Sequence, residues 1–121
     1  MAKKKILLVD DSSTVLMLHQ MMLKDFDCDL VTARNGREGV EKALAEKPDV
    51  IFLDVIMPEM NGFEACREIR KHFADTPILM VTTRGEQENV QAGREAGCTE
   101  YITKPFDRAE LVAKLQGYLA A

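Results

Sequence analysis

With 121 residues the chain has room for one compact core and little space for a second. Hydrophobic residues make up 46% and charged residues 30%, with a formal net charge of -4, a balance that fits an ordinary globular surface and argues against a general affinity for nucleic acid. No stretch reaches the roughly 18 apolar residues of a membrane span, and Ile6 to Val9 is too short for a signal-peptide core.

The expected compartment is therefore the cytoplasm. Cys28, Cys66 and Cys98 are widely spaced and odd in number, which suits neither a disulfide framework nor a zinc site; three small buried thiols are expected. Lys3, Lys4 and Lys5 are the one basic run, and a lysine run before a first strand is more often a solvated terminus than a binding patch.

The first strand is expected at Ile6 to Val9, followed at once by Asp10 and Asp11. A helix from about Ser13 to Phe26 is apolar at Val15, Leu16, Met17, Leu18, Met21, Met22 and Leu23, wider than one buried stripe needs. It suits a thickly packed core helix and a docking surface equally. A second strand centres on Leu30 and Val31. The second helix opens at Asn35 with Glu38 three residues on, a capping-box spacing, and stops at Lys47-Pro48. Val50 to Leu53 form the third strand, ending in Asp54, and Asn61 with Glu64 opens the third helix. Ile78 to Val81 form the fourth strand, ending in Thr82. The fourth helix, about Glu86 to Ala96, has Val90 as its only large apolar residue and Gly93 inside it, so it is held weakly; Gly97 suits a left-handed stop. Tyr101 and Ile102 mark the fifth strand, with Lys104-Pro105 beyond it. Asp107 and Glu110 open the last helix, whose stripe is Leu111, Val112, Leu115 and Leu119.

The continuous apolar runs of the first, third and fourth strands predict burial on both faces, as a helix-covered parallel sheet requires. Five strand–helix repeats give an α/β sandwich with right-handed crossovers, and no linker, repeat or low-complexity segment divides residues 1–121.

In such a sheet ligands bind beyond the carboxyl ends of the strands. Asp10, Asp11, Asp54, Thr82 and Lys104 all follow strands, so one edge would present three carboxylates, a hydroxyl and an amine. Singly, an Asp after a strand is usually a turn or cap residue. Together the three acids repel one another, and a hard cation removes the problem; Mg²⁺ binds a few carboxylate oxygens, keeps water and commonly bridges to phosphate. Asp54 can then act as a nucleophile and become an acyl phosphate, with Lys104 and the Thr82 hydroxyl stabilising the transferring group. His19 and His72 lie in helical segments away from the strand ends and are expected on the surface or in packing.

Asp10-Asp11, Asp54, Met57-Pro58 with Asn61-Gly62, Thr82 and Lys104-Pro105-Phe106 resemble the signature of response-regulator receiver domains, across essentially the whole chain from Lys4 to Leu119. The nearest type is the stand-alone chemotaxis receiver, with no output domain after the last helix. The resemblance implies a flavodoxin-like (βα)5 doubly wound fold with strand order 2-1-3-4-5. It implies that Asp54 is the phosphoacceptor, that Asp11, Asp54 and the backbone carbonyl of Ile56 bind Mg²⁺ (or Mn²⁺), and that Asp10 helps through water or outer contacts. It further implies that Lys104 pairs with the phosphoryl group before a cis Lys104-Pro105 bond, that Thr82 and then Tyr101 turn inward as switch residues, and that the fourth helix, fifth strand and fifth helix form the partner surface. A histidine kinase or phosphotransfer protein is the implied donor and a protein the implied target, in a monomer or weak dimer with no direct contact to nucleic acid or membrane.

Ile56, Thr83 and Arg84 depart from what fast receivers favour near the phosphoryl group, and predict a longer-lived phosphoryl group. Three other readings compete. A receiver-like scaffold without phosphorylation is opposed by the presence of all five site residues. A haloacid dehalogenase-like phosphatase wants a second acid where Ile56 stands. A flavodoxin-like flavin binder wants a hydroxyl- and glycine-rich first loop where Asp10-Asp11 would repel a phosphate.

Overall fold

The chain alternates strand and helix five times: β1 (Lys4–Val9), α1 (Ser13–Met22), β2 (Cys28–Ala33), α2 (Gly36–Glu46), β3 (Val50–Asp54), α3 (Gly62–Arg70), β4 (Ile78–Thr82), α4 (Gln87–Ala96), β5 (Glu100–Thr103) and α5 (Arg108–Leu119). The structure, a computed structural model, describes residues 4–24, 28–55, 57, 60–82, 87–103 and 107–119, with the backbone alone for Thr82, Thr103, Leu119 and residues 87–90.

All strands pair in parallel in the order β2-β1-β3-β4-β5. Alternate residues of each strand feed two separate cores, because successive side chains leave a strand on opposite faces. Leu7, Val9, Ile51, Leu53, Ile78 and Met80 pack with Ala43, Ala65, Cys66, Ile69 and Ala96 of α2, α3 and α4. Ile6, Leu8, Val50, Phe52, Leu79, Val81 and Ile102 pack with Leu16, Leu111 and Leu115 of α1 and α5. Every residue of β3 is buried, which explains why its sequence is an unbroken apolar run up to Asp54.

The helix ends follow their local signals. The Asn35 side chain accepts from the Glu38 amide, and Asn61 and Glu64 form a complete reciprocal capping box. Asp107 Oδ1 accepts from the Glu110 amide at 2.8 Å. Lys47 closes α2 in the left-handed region at φ 50, and Gly97 does the same after α4 at φ 97.

Three expectations need correction. Helix α1 ends at Met22 rather than near Phe26: the Leu23 amide donates to the carbonyls of both His19 and Gln20, tightening the last turn and sinking Leu23 into the core. Strand β2 is longer than its apolar pair, because an edge strand with Asp29 exposed and most positions half-buried is held by pairing to β1 from Lys4↔Cys28 to Val9↔Ala33. Only Cys66 is fully buried; Cys28 and Cys98 are half-buried. His19 lies on the buried side of α1, so it is a packing histidine, and His72 is exposed. At the far end of α1, Arg108 Nε of α5 donates to the Met22 carbonyl at 2.9 Å, tying the two helices together.

Candidate functional site

Register brings the predicted residues to one edge of the sheet. Val9 pairs with Leu53, so Asp10 and Asp54 both stand at the next level, on adjacent strands. Asp54 pairs with Val81, and Thr82 pairs with Thr103. The backbone of Thr82 thus ends β4 beside Asp54, and Thr103 ends β5 immediately before Lys104 in the sequence.

The β1 exit is fixed by short-range bonds. The Asp10 amide continues the sheet by donating to Ala33 O at 3.1 Å, and Asp10 Oδ1 accepts the Ser12 amide at 3.0 Å in an Asx turn. Ser12 then caps α1 by accepting from the Val15 amide at 3.2 Å. One sequence segment therefore ends a strand, turns two carboxylates toward the sheet edge and starts a helix.

The β3 exit is fixed by glycines. The Val55 amide donates to Val81 O at 3.2 Å, and the Gly62 amide donates back to Val55 O at 2.8 Å, which closes the connecting loop on itself. A Cβ at Gly62 would lie 2.2 Å from the Asp54 carbonyl oxygen, and one at Gly36 would lie 2.1 Å from Met60 O. Both glycines are obligatory by contact. Their roles were not apparent in the sequence, where Gly62 is part of a motif and Gly36 carries no signal beyond following a cap.

Asp10, Asp11 and Asp54 each offer a carboxylate oxygen, and these atoms lie within 4.8 Å of one another. Asp10 is 4% exposed and Asp54 9%, whereas Asp11 faces solvent. Gathering anionic oxygens this closely in a site mostly withdrawn from water is unfavourable unless a cation joins them. An all-oxygen donor set with an open side is what a hard divalent ion such as Mg²⁺ takes, since it keeps several waters of its own. The residues present fit such an ion.

Tyr101 is half-buried in β5, beside Met80 in register, and packs with the core under α4. A Cβ at Gly93 would sit 3.1 Å from Tyr101 Cδ2, so the ring lies directly against the α4 backbone. Ile56, Lys104 and Pro105 lie outside the described residues, as do Thr83 and Arg84; the expected Ile56 carbonyl ligand, Lys104 contact and cis bond fall there.

These features are shared with known proteins. The family model described as the response regulator receiver domain matches residues 6–116. Protein PilH of Pseudomonas aeruginosa is 38% identical over 119 residues, covering 96% of this chain and 98% of that protein. The alkaline phosphatase synthesis transcriptional regulatory protein PhoP of Bacillus subtilis is 40% identical over 116 residues, 96% of this chain and 48% of PhoP. The chain thus spans about half the length of PhoP and nearly all of PilH. Chemotaxis protein CheY4 of Vibrio cholerae superposes with a TM-score of 0.92 at 39% identity, covering 98% of this chain and 100% of that one. The receiver domain of the sensor histidine kinase PA1611 of Pseudomonas aeruginosa superposes at 0.91 with 30% identity, covering 99% and 100%, and holds a magnesium ion coordinated in its active-site cleft. With its parallel sheet in the order 2-1-3-4-5, its carboxylates gathered at one edge and its match across nearly the whole length, the chain belongs to the response regulator receiver domain family.

Proposed function

We propose that the chain is a phosphorylation-dependent switch in a two-component system, in which Asp54 takes a phosphoryl group from a phosphohistidine of a histidine kinase or phosphotransfer protein. The observation that carries this reading is the cluster of three carboxylate oxygens within 4.8 Å at the carboxyl edge of the sheet. Asp10, Asp11 and Asp54, with the backbone carbonyl of Ile56, would hold Mg²⁺, or Mn²⁺ in its place. When bound, the ion neutralises charge on the carboxylates and on the incoming phosphoryl oxygens.

The chain's own residues do the rest. An Asp54 carboxylate oxygen forms a P–O bond as the P–N bond to the donor imidazole breaks, leaving an acyl phosphate and a neutral imidazole once the ring is protonated. Lys104 supplies an ammonium to the phosphoryl oxygens and Thr82 a hydroxyl donor.

The added charge draws Thr82 and then Tyr101 inward, and the face formed by α4, β5 and α5 changes for a protein target. Contact between Tyr101 and α4 at Gly93 supports that route. On α1, which packs beside α5, Met17, Leu18 and Met21 are 61%, 49% and 65% exposed, an apolar strip suited to a helical phosphodonor. No described helix is long and apolar enough to cross a membrane, and the reading places the domain in the cytoplasm.

The test is incubation with acetyl phosphate, with and without Mg²⁺, on wild type and Asp54→Asn, read by intact mass. One added phosphate is expected only with metal and only on wild type; labelling of Asp54→Asn to the same extent would overturn the assignment.

A further inference from the structure

Arg70, the last residue of α3, spends its guanidinium on two separate stretches of chain. Nε donates to the Gly97 carbonyl at 2.7 Å, Nη1 to the carbonyls of Phe73 and Thr76 at 3.0 and 2.6 Å, and Nη2 to the Thr99 hydroxyl at 3.1 Å. That hydroxyl also accepts the Ile78 amide at 3.0 Å, while the Thr99 amide donates to Ile78 O at 2.7 Å. One side chain therefore joins the end of α3, the turn into β4 and the corner between α4 and β5.

The corner is fitted to the arginine as well as bonded to it. Gly97 sits at φ 97, and a Cβ there would stand 3.1 Å from Arg70 Cγ. One helical turn earlier in α3, Cys66 Sγ donates to Ala96 O at 3.4 Å, and Ala96 is buried. The C-terminal end of α4 is thus held by α3. In its N-terminal half, Gln87-Glu88-Asn89-Val90, the sequence holds one large apolar residue.

We propose that Arg70 is a positioning residue that welds the C-terminal end of α4 to α3 and the head of β4, so that the α4–β5 face changes state by displacement of α4 ahead of Gly93 while the Gly97 corner stays fixed. Lysine cannot substitute, because a point ammonium with three donors cannot span carbonyls on both stretches as a planar fork does. The second half of the proposal rests on the reading of the chain as a phosphorylated switch; the first half does not.

Backbone amide exchange on the full chain tests both halves, for wild type and Arg70→Lys, each alone and with beryllofluoride plus magnesium as an acyl-phosphate mimic. Without the mimic, Arg70→Lys is expected to exchange about tenfold faster at Gly97, Cys98 and Thr99, with Leu8 and Phe52 in β1 and β3 unchanged. Wild-type rates at 97–99 in the variant would overturn the weld, and so would an equal rise at Leu8 and Phe52, which marks general loss of stability. With the mimic, wild type is expected to change at 87–92 and not at 97–99, and the variant at both. Equal change at both segments in wild type would overturn the fixed corner. A wild type that responds nowhere counts against the phosphoacceptor reading and removes the proposal's second half, leaving the first to the comparison without mimic.

Discussion

Gly62 has no room for a side chain, since a Cβ would stand 2.2 Å from the Asp54 carbonyl and 2.9 Å from Val55 Cα. Both neighbours are backbone of the buried β3 exit, so neither can yield without moving Asp54. Gly62→Ala is expected to cost about 2–3 kcal/mol, measured by urea unfolding, and to slow acetyl-phosphate labelling. Lys47 is the opposite case: it holds φ 50 with a Cβ that glycine would lack. Lys47→Gly is expected to raise stability by up to about 1 kcal/mol in the same assay. On the proposed phosphoacceptor reading, the residue types at Ile56, Thr83 and Arg84 are expected to hinder the attacking water, so the purified phospho-form should persist; decay within seconds would refute this. The acids were legible because each follows an apolar strand, which fixes its place at the sheet edge. The glycines were not, because their constraint comes from carbonyls supplied by other segments.

Among the elements, caps carried the most information. Asn35, Asn61 and Asp107 each bond the amide three residues on, a relation that needs no tertiary context. Arg70 had no such signal, since an arginine in the last turn of a helix looks like a surface cation favoured by the helix dipole. Helix α1 left two readings open in the sequence, and its exposed Met17, Leu18 and Met21 favour the docking surface. Replacing Met17 and Met21 together with Glu is expected to slow phosphotransfer from a phosphohistidine bundle at least about tenfold. Labelling by acetyl phosphate, which needs no docking, should be unchanged, and an unaltered bundle rate would remove α1 from the donor interface.

At the scale of the molecule, pH acts through groups outside the cluster of Asp10, Asp11 and Asp54. Glu100 of β5 accepts bonds from Lys114 and, at 2.5 Å, from the Tyr118 hydroxyl, both on α5. The bond to Glu100, with burial, pushes Tyr118 from 10 up to about 12. Burial pushes the Cys66 thiol from 9 up to about 11. Each folded form holds its proton more tightly than the unfolded chain does, so each contribution is complete below the unfolded value and is lost as pH rises through the folded one. Urea midpoints are expected to fall from pH 9 to 12, with Cys66→Ala flattening the lower part and Tyr118→Phe the upper. Burial works against the Glu100 carboxylate, yet its bonds from Lys114 and Tyr118 outweigh that and hold it below the ordinary 4.5, so its contribution is present above 4.5 and is lost as pH falls. These contacts join residues more than a dozen positions apart, which no local pattern announces.

The bond from Arg108 to the Met22 carbonyl has an evolutionary consequence. Because Met22 contributes its backbone carbonyl and not its side chain, the bond tolerates drift at position 22 and depends on the arginine at 108. Among paralogues the expected trace is therefore an arginine kept at 108 beside a freely varying residue 22, and loss of that arginine would loosen the ends of both helices at once.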